Sequence, residues 1–362
     1  MDERIRRYAE LLVDRCVEVR PGWQVVVNAQ VWARPLVEEV QRLIAQRGAY
    51  AITLLSYDTV GGAWARAAAE ELLATPAPIT QQLQATADAF IVVVAPENTR
   101  DGTDVSPERA ALAGRAARTI RDRMTAMDVP WVACQFPTHA LAQDAGMPLD
   151  DFAELLYGAC LLDWDEEARK LRVIADHFDE ASEVRIVGEG TDLRLGIEGR
   201  RCAIDDGHIN LPGGEVFMSP LEDATEGIVS FSEFPAVYFG QEVEGAWLRF
   251  EGGRVIDAGA RRNEDYLLAT LDTDPGARVL GELGIGCNPG ITRHMKNTLF
   301  DEKIYGTIHL AVGRSYTVTG GTNESSVHWD MVKDLRVGGS IYLDGGLVQR
   351  NGEWTFAMAA HA

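Results

Sequence analysis

Apolar residues in this chain keep one rhythm up to about Glu180 and a different one beyond it. In the first stretch, compact apolar runs alternate with helical stripes. Arg4 to Val17 carries Ile5, Tyr8, Leu11, Leu12 and Cys16 on one helical face, and Pro21-Gly22 breaks it. Trp23-Gln24-Val25-Val26-Val27-Asn28 then reads as a buried strand. Arg34 to Gln46 follows as a helix, with Leu36, Val37, Val40, Leu43 and Ile44 as its apolar stripe, stopped by Gly48 ahead of the strand Ala51–Leu55. That is a βαβ unit, whose crossover is long enough for a parallel pair. The pattern returns in Ala89–Val94 and Pro130–Cys134, separated by a helix start at Ser106 with proline in its first position. Two helices, Asp150–Leu161 and Trp164–Phe178, complete the stretch.

Past Glu180, short strands such as Val184–Val187, Leu193–Ile197 and Trp247–Glu251 are cut by glycine- and aspartate-rich turns. Asn263–Leu271 is the one clear helix of this half. Gly188-Glu189-Gly190 lacks the third glycine of a dinucleotide fingerprint and lies between two strands, so it predicts a hairpin turn. The expected architecture is an α/β domain with a mostly parallel sheet over residues 1–180. A β-rich (α+β) metal-binding domain is expected over residues 181–362.

Bulk properties remove several function classes. Lys and Arg number 34 against 55 Asp and Glu, a net charge of −21 that repels nucleic acid and anionic lipid. No run approaches the roughly 20 apolar residues that span a bilayer. Met1–Arg7 alternates charge, unlike a signal peptide. The five cysteines, with no CxxC pair, predict neither a disulfide framework nor a zinc ribbon and point to a reducing, cytoplasmic setting. P-loop, GxSxG and HExxH motifs are all absent. His139, His177, His208, His294 and His361 read as structural or solvated, with Asp205-Asp206-Gly207 directly ahead of His208.

Acidic residues and histidines gather in five segments of the second half: Asn210–Phe217, Gly281–Gly286, Asp301-Glu302, Ile308–Gly313 and Ser326–Asp330. Glu215, Glu282 and His309 each stand among apolar neighbours, where an unpartnered ionisable group is costly. His328-Trp329-Asp330 on a strand turns imidazole and carboxylate to one face and the indole to the other. Nitrogen and carboxylate donors without thiolate suit zinc, cobalt, manganese or iron. The donors Glu215, Glu282, Glu302, His309, His328 and Asp330 exceed the needs of one four-coordinate ion, so two divalent ions per chain (Zn, Co or Mn) are expected.

These segments resemble the thermophilic metallo-aminopeptidases, the aminopeptidase T group. The resemblance rests on Pro212-Gly213-Gly214-Glu215-Val216-Phe217, Gly281-Glu282, the run Asn297 to Glu302, His309-Leu310-Ala311-Val312-Gly313 and His328-Trp329-Asp330. It implies a metal set of Glu215, Glu282, Glu302, His309, His328 and Asp330, with Glu282 as bridging carboxylate and Tyr316 as catalytic tyrosine. Glu302 and His309 stand two residues further apart than in the family pattern. The implied activity is removal of N-terminal residues from peptides by a cytoplasmic hydrolase, expected as a homodimer. Glu222, Asp223, Glu226 and Glu324 are candidate anchors for the substrate amine. Two other readings stay open. One is a ring-cleaving dioxygenase with a single iron on His309, His328 and Asp330. The other is a metal-binding homologue without turnover.

Overall fold

A computed structural model of the chain describes residues 2–57, 63–101, 105–125 and 128–357. The chain forms two compact units, Met1–Leu161 with Gly207–Leu211, and Leu162–Asp206 with Pro212–Ala362. The helix Trp164–Asp179, expected within residues 1–180, therefore packs in the second unit.

The first unit holds a five-stranded, all-parallel sheet in the order Tyr50–Ser56, Gln24–Gln30, Ala89–Val94, Trp131–Gln135, Asn210–Leu211. Val25, Val26 and Val27 are consecutive and all buried, as in a strand covered on both faces. The crossover helix spans Arg34–Gln46 and buries Leu36, Val37, Val40, Leu43 and Ile44. Ser106 caps its helix by accepting the Arg109 N–H at 3.4 Å. The opening helix differs from the single α-helix expected. It runs as α-helix over Glu3–Glu10 and then widens to a π-helix over Leu11–Cys16, where the Val17 N–H reaches back to the Leu12 carbonyl.

The second unit is built from antiparallel strands. Eight form one sheet, in the order Arg254–Gly259, Ala246–Glu251, Thr225–Phe231, Thr191–Gly196, Glu183–Gly188, Ser340–Leu343, Gly346–Arg350, Glu353–Trp354. Gly188 pairs with Thr191, so Glu189 and Gly190 make the expected two-residue hairpin turn, with Gly190 at φ 62°.

A second sheet of five strands has the order His328–Asp334, Thr307–Gly313, Leu280–Gly286, Glu215–Met218, Ala203–Asp205. One face of it supplies Val216, Met218, Leu283, Ile285, Ile308, Leu310, Val312, Trp329 and Met331 to the apolar core. The eight-stranded sheet adds Leu193, Val229, Phe231 and Leu248, and the helix Trp164–Asp179 adds Leu171, Ile174 and Phe178. Because side chains alternate along a strand, the residues between these core positions all point to the opposite face. That opposite face carries the ionisable groups.

Among the described residues no helix is long and apolar enough to cross a membrane.

Candidate metal centre

Strand register gathers residues that are far apart in sequence. Ala311 lies between Glu282 and Asp330 in one row across three strands. In the next row Gly284 stands between Phe217 and His309, and beyond it Gly286 faces Glu215, which faces Asp205. The pairing slips between Leu280 and Glu282, a bulge that sets Glu282 back into register with the site face. Gly284 is required sterically, since a Cβ there would overlap the His309 imidazole that lies across it.

His328 Nε2 is 3.1 Å from Glu282 Oε2 and 3.6 Å from Asp330 Oδ1. His309 Nε2 is 3.5 Å from Glu282 Oε1 and 3.7 Å from Glu215 Oε2. Both imidazoles are aimed by the backbone: His309 Nδ1 donates to the Glu302 carbonyl at 3.0 Å, and His328 Nδ1 to the Arg314 carbonyl at 2.9 Å. With each Nδ1 so engaged, each Nε2 faces the carboxylates, the orientation that metal-binding histidines adopt. Trp329 turns away as expected, stacked on Tyr238 with ring centroids 5.2 Å apart.

The electrostatics are those of charge crowded out of water. Burial pushes the Glu215 carboxyl up to about 8 even though Lys303 opposes the shift. Burial also raises Asp330, helped by the charge of Glu282. Glu282 goes the other way. Burial works against its charge, but hydrogen bonds from His309 and His328 outweigh that and hold it at about 2. Burial alone would lower both imidazoles, yet the surrounding carboxylates bring each up to about 10. Glu215 Oε2 is buried and has no hydrogen-bond partner among the described residues.

This donor set fits a divalent cation. Glu282, His309 and Asp330 each present a ligand atom within 4.8 Å of the others. A cation there would relieve an orphaned carboxylate oxygen and replace two imidazolium protons.

Tyr316 reaches the same place. Its hydroxyl is 3.4 Å from His328 Nε2, and its ring stands edge-on to Phe217 and His328. Its backbone N–H donates to Ser219 Oγ at 3.0 Å. Burial, followed by the charge of Glu282, raises the phenol well above its usual range, so it is a neutral donor.

Glu215, Glu282, His309, His328, Asp330 and Tyr316 thus converge. Glu302 meets them differently: its carbonyl holds His309, and its carboxylate is bonded to the Lys303 ammonium. Lys303 and Asp205 are the site residues that sequence reasoning missed. Lys303 Nζ is wholly buried, 3.2 Å from Glu215 Oε1 and 3.7 Å from Asp205 Oδ2. Asp205 was visible only as part of an acidic turn, and Lys303 only as the flank of Glu302. Among the proposed amine anchors, Glu222 is engaged by Arg200 and Thr322, and Glu226 accepts the Gly252 N–H. His294 pairs with Asp301 and stacks on Phe234, and His208 lies 3.4 Å from an Arg15 guanidinium nitrogen. His361 is outside the described residues.

The chain thus has a parallel-sheet unit and an antiparallel unit that carries a carboxylate–imidazole pocket suited to a divalent cation. The model of the thermophilic metalloprotease (M29) family matches residues 1–354, and this chain belongs to that family. Among curated proteins it is 28% identical to aminopeptidase AmpS of Bacillus subtilis (strain 168), covering 98% of this chain and 99% of that one. It is also 28% identical to aminopeptidase T of Thermus aquaticus, covering 97% and 98%. The fold matches wild-type AmpT from Thermus thermophilus with a TM-score of 0.84 at 24% identity, over 98% and 99% of the two chains. A 2,5-dihydroxypyridine dioxygenase from Pseudomonas putida KT2440 shares the fold more distantly, with a TM-score of 0.61 at 16% identity over 98% and 97%.

Proposed function

We propose that this protein is a metal-dependent aminopeptidase that removes N-terminal residues from peptides. The observation that carries this reading is the convergence of Glu282, His309, His328 and Asp330 around one point, with the Tyr316 hydroxyl beside it. Full-length similarity to named aminopeptidases supports the substrate class.

Glu282, His309, His328 and Asp330 would hold the cation, with Glu215 Oε2 directed toward the same point. A divalent ion bound there supplies Lewis-acid polarisation of the scissile carbonyl and brings the pKa of a water toward neutrality. The chain's own groups do the rest. Glu282 is ionised at neutral pH, so it would hold the cation and orient the attacking water by accepting its hydrogen bond. Tyr316, neutral and buried, donates its hydroxyl proton in a hydrogen bond to the oxyanion as the carbonyl carbon becomes tetrahedral. A small cavity beside the site is lined by Asp301, Glu302 and Asp330, with Pro235, Val237 and Val332 on its apolar side. The number of ions, two on a count of ligands, turns on Lys303.

The test is turnover of aminoacyl-p-nitroanilides by protein loaded with Co²⁺ or Zn²⁺, expected for the parent and abolished in Glu282→Gln. Metal-replete protein that cleaves no member of a broad panel of aminoacyl substrates and peptides ends the proposal. Oxygen uptake driven by a dihydroxypyridine, with one Fe(II) per chain, would replace it with the dioxygenase reading.

A further inference from the structure

Lys303 follows the short helix Thr298–Asp301, and its main chain is pinned on both sides. Its N–H donates to the Phe300 carbonyl, and its own carbonyl accepts the Asn288 N–H. The side chain is entirely shielded from solvent. Three carboxylates stand around its ammonium: Glu302, which accepts a hydrogen bond, Glu215 through Oε1 at 3.2 Å, and Asp205 through Oδ2 at 3.7 Å. A buried charge persists when it is fully paired, and here the partners are the surplus acids of the site itself.

The ammonium divides those acids into two sets. Asp205, Glu302 and Glu215 Oε1 face Lys303 Nζ, whereas Glu282, Asp330 and Glu215 Oε2 face the imidazoles. A divalent ion among the first set would have to displace the ammonium or sit against it in surroundings that screen charge poorly. Beside the second set stand the imidazoles of His309 and His328, whose Nε2 atoms are themselves metal donors.

We propose that Lys303 is a resident cation standing where a second metal ion would otherwise sit, so that the pocket holds one divalent ion per chain. Glu215 is shared, one oxygen on the ammonium and the other toward the ion. This departs from the pair of ions that the ligand count implies. It rests on the metal reading above but not on the substrate.

The experiment is a metal count by mass spectrometry on full-length protein reconstituted with Zn²⁺ or Co²⁺ and then gel-filtered. One equivalent is expected for the parent chain, rising to two in Lys303→Met, which removes the charge while keeping most of the bulk. Two equivalents in the parent, or still one in a folded Lys303→Met, overturns the proposal. Should Lys303→Met fail to fold, electron paramagnetic resonance of the Co²⁺-loaded parent decides the matter. An uncoupled high-spin signal integrating to one cobalt per chain supports it, and a spin-coupled pair overturns it. No arm reads peptide cleavage, so an error about substrate leaves these counts intact.

Discussion

The molecule contains two five-stranded sheets with opposite chemistry. In the parallel sheet of the first unit, not one Asp, Glu, Lys, Arg or His stands in any of the five strands. Four strands of the antiparallel sheet in the second unit carry Glu215, Glu282, His309, His328 and Asp330 on a single face, and the fifth adds Asp205. The difference follows from what covers each sheet. Central parallel strands are covered on both sides, so consecutive residues such as Val25, Val26 and Val27 must all be apolar. An antiparallel strand needs only alternate residues for its core, which frees the others for chemistry. Trp329 and Met331 pack while His328 and Asp330 converge with the other ligands.

Several substitutions would break or sharpen this contrast. The largest effect is expected from Gly284→Ala. Its methyl group would occupy the space of the His309 ring, so metal content and turnover should both fall to background. Overpacking should also cost about 1–3 kcal/mol of stability. A variant with full metal content and normal kinetics would show that the ring has room to move. Tyr316→Phe should keep its metal and its KM while kcat drops by roughly 10²–10³, the usual effect of losing one oxyanion donor. A change confined to KM would assign the hydroxyl to substrate binding instead.

Removing the ion should weaken the second unit more than the first. Against protein held at 100 times the dissociation constant, chelation should cost about 2.7 kcal/mol, read as a lower Tm. A Tm unaffected by chelator would mean that the pocket is equally stable without its ion. Smallest of all, Ile91→Val in the parallel sheet should cost about 0.5–1.5 kcal/mol and leave kcat and metal content as they were. Loss of metal in that variant would mean that the two sheets are not chemically separate.

Much of the first unit could be read directly, because periodicity reports local structure. The helix Arg34–Gln46 and the strand Ala89–Val94 have the bounds that their apolar spacing predicts. The π-helical turn at Leu11–Cys16 could not be read that way, since it ends the helix and no further turns follow on which a shifted apolar stripe would show. At the site, residue types were legible wherever an ionisable group stood among apolar neighbours, as with Glu282 and His309. Which residues meet was not. Glu282 comes beside Asp330 through pairing across three strands and a bulge, and no local pattern encodes that pairing. Lys303 escaped for a related reason: next to Glu302 it looks like half of a solvated ion pair, and only tertiary packing takes it out of water.

Main-chain carbonyls, rather than side chains, steer both imidazoles. Point mutation cannot delete a carbonyl, so the aim of His309 and His328 is insulated from sequence drift at Glu302 and Arg314. Neighbouring side chains are therefore free to diverge among relatives while the two nitrogens stay trained on one spot. A side chain placed at Gly284, or a change in the path of the polypeptide between these strands, would turn them aside.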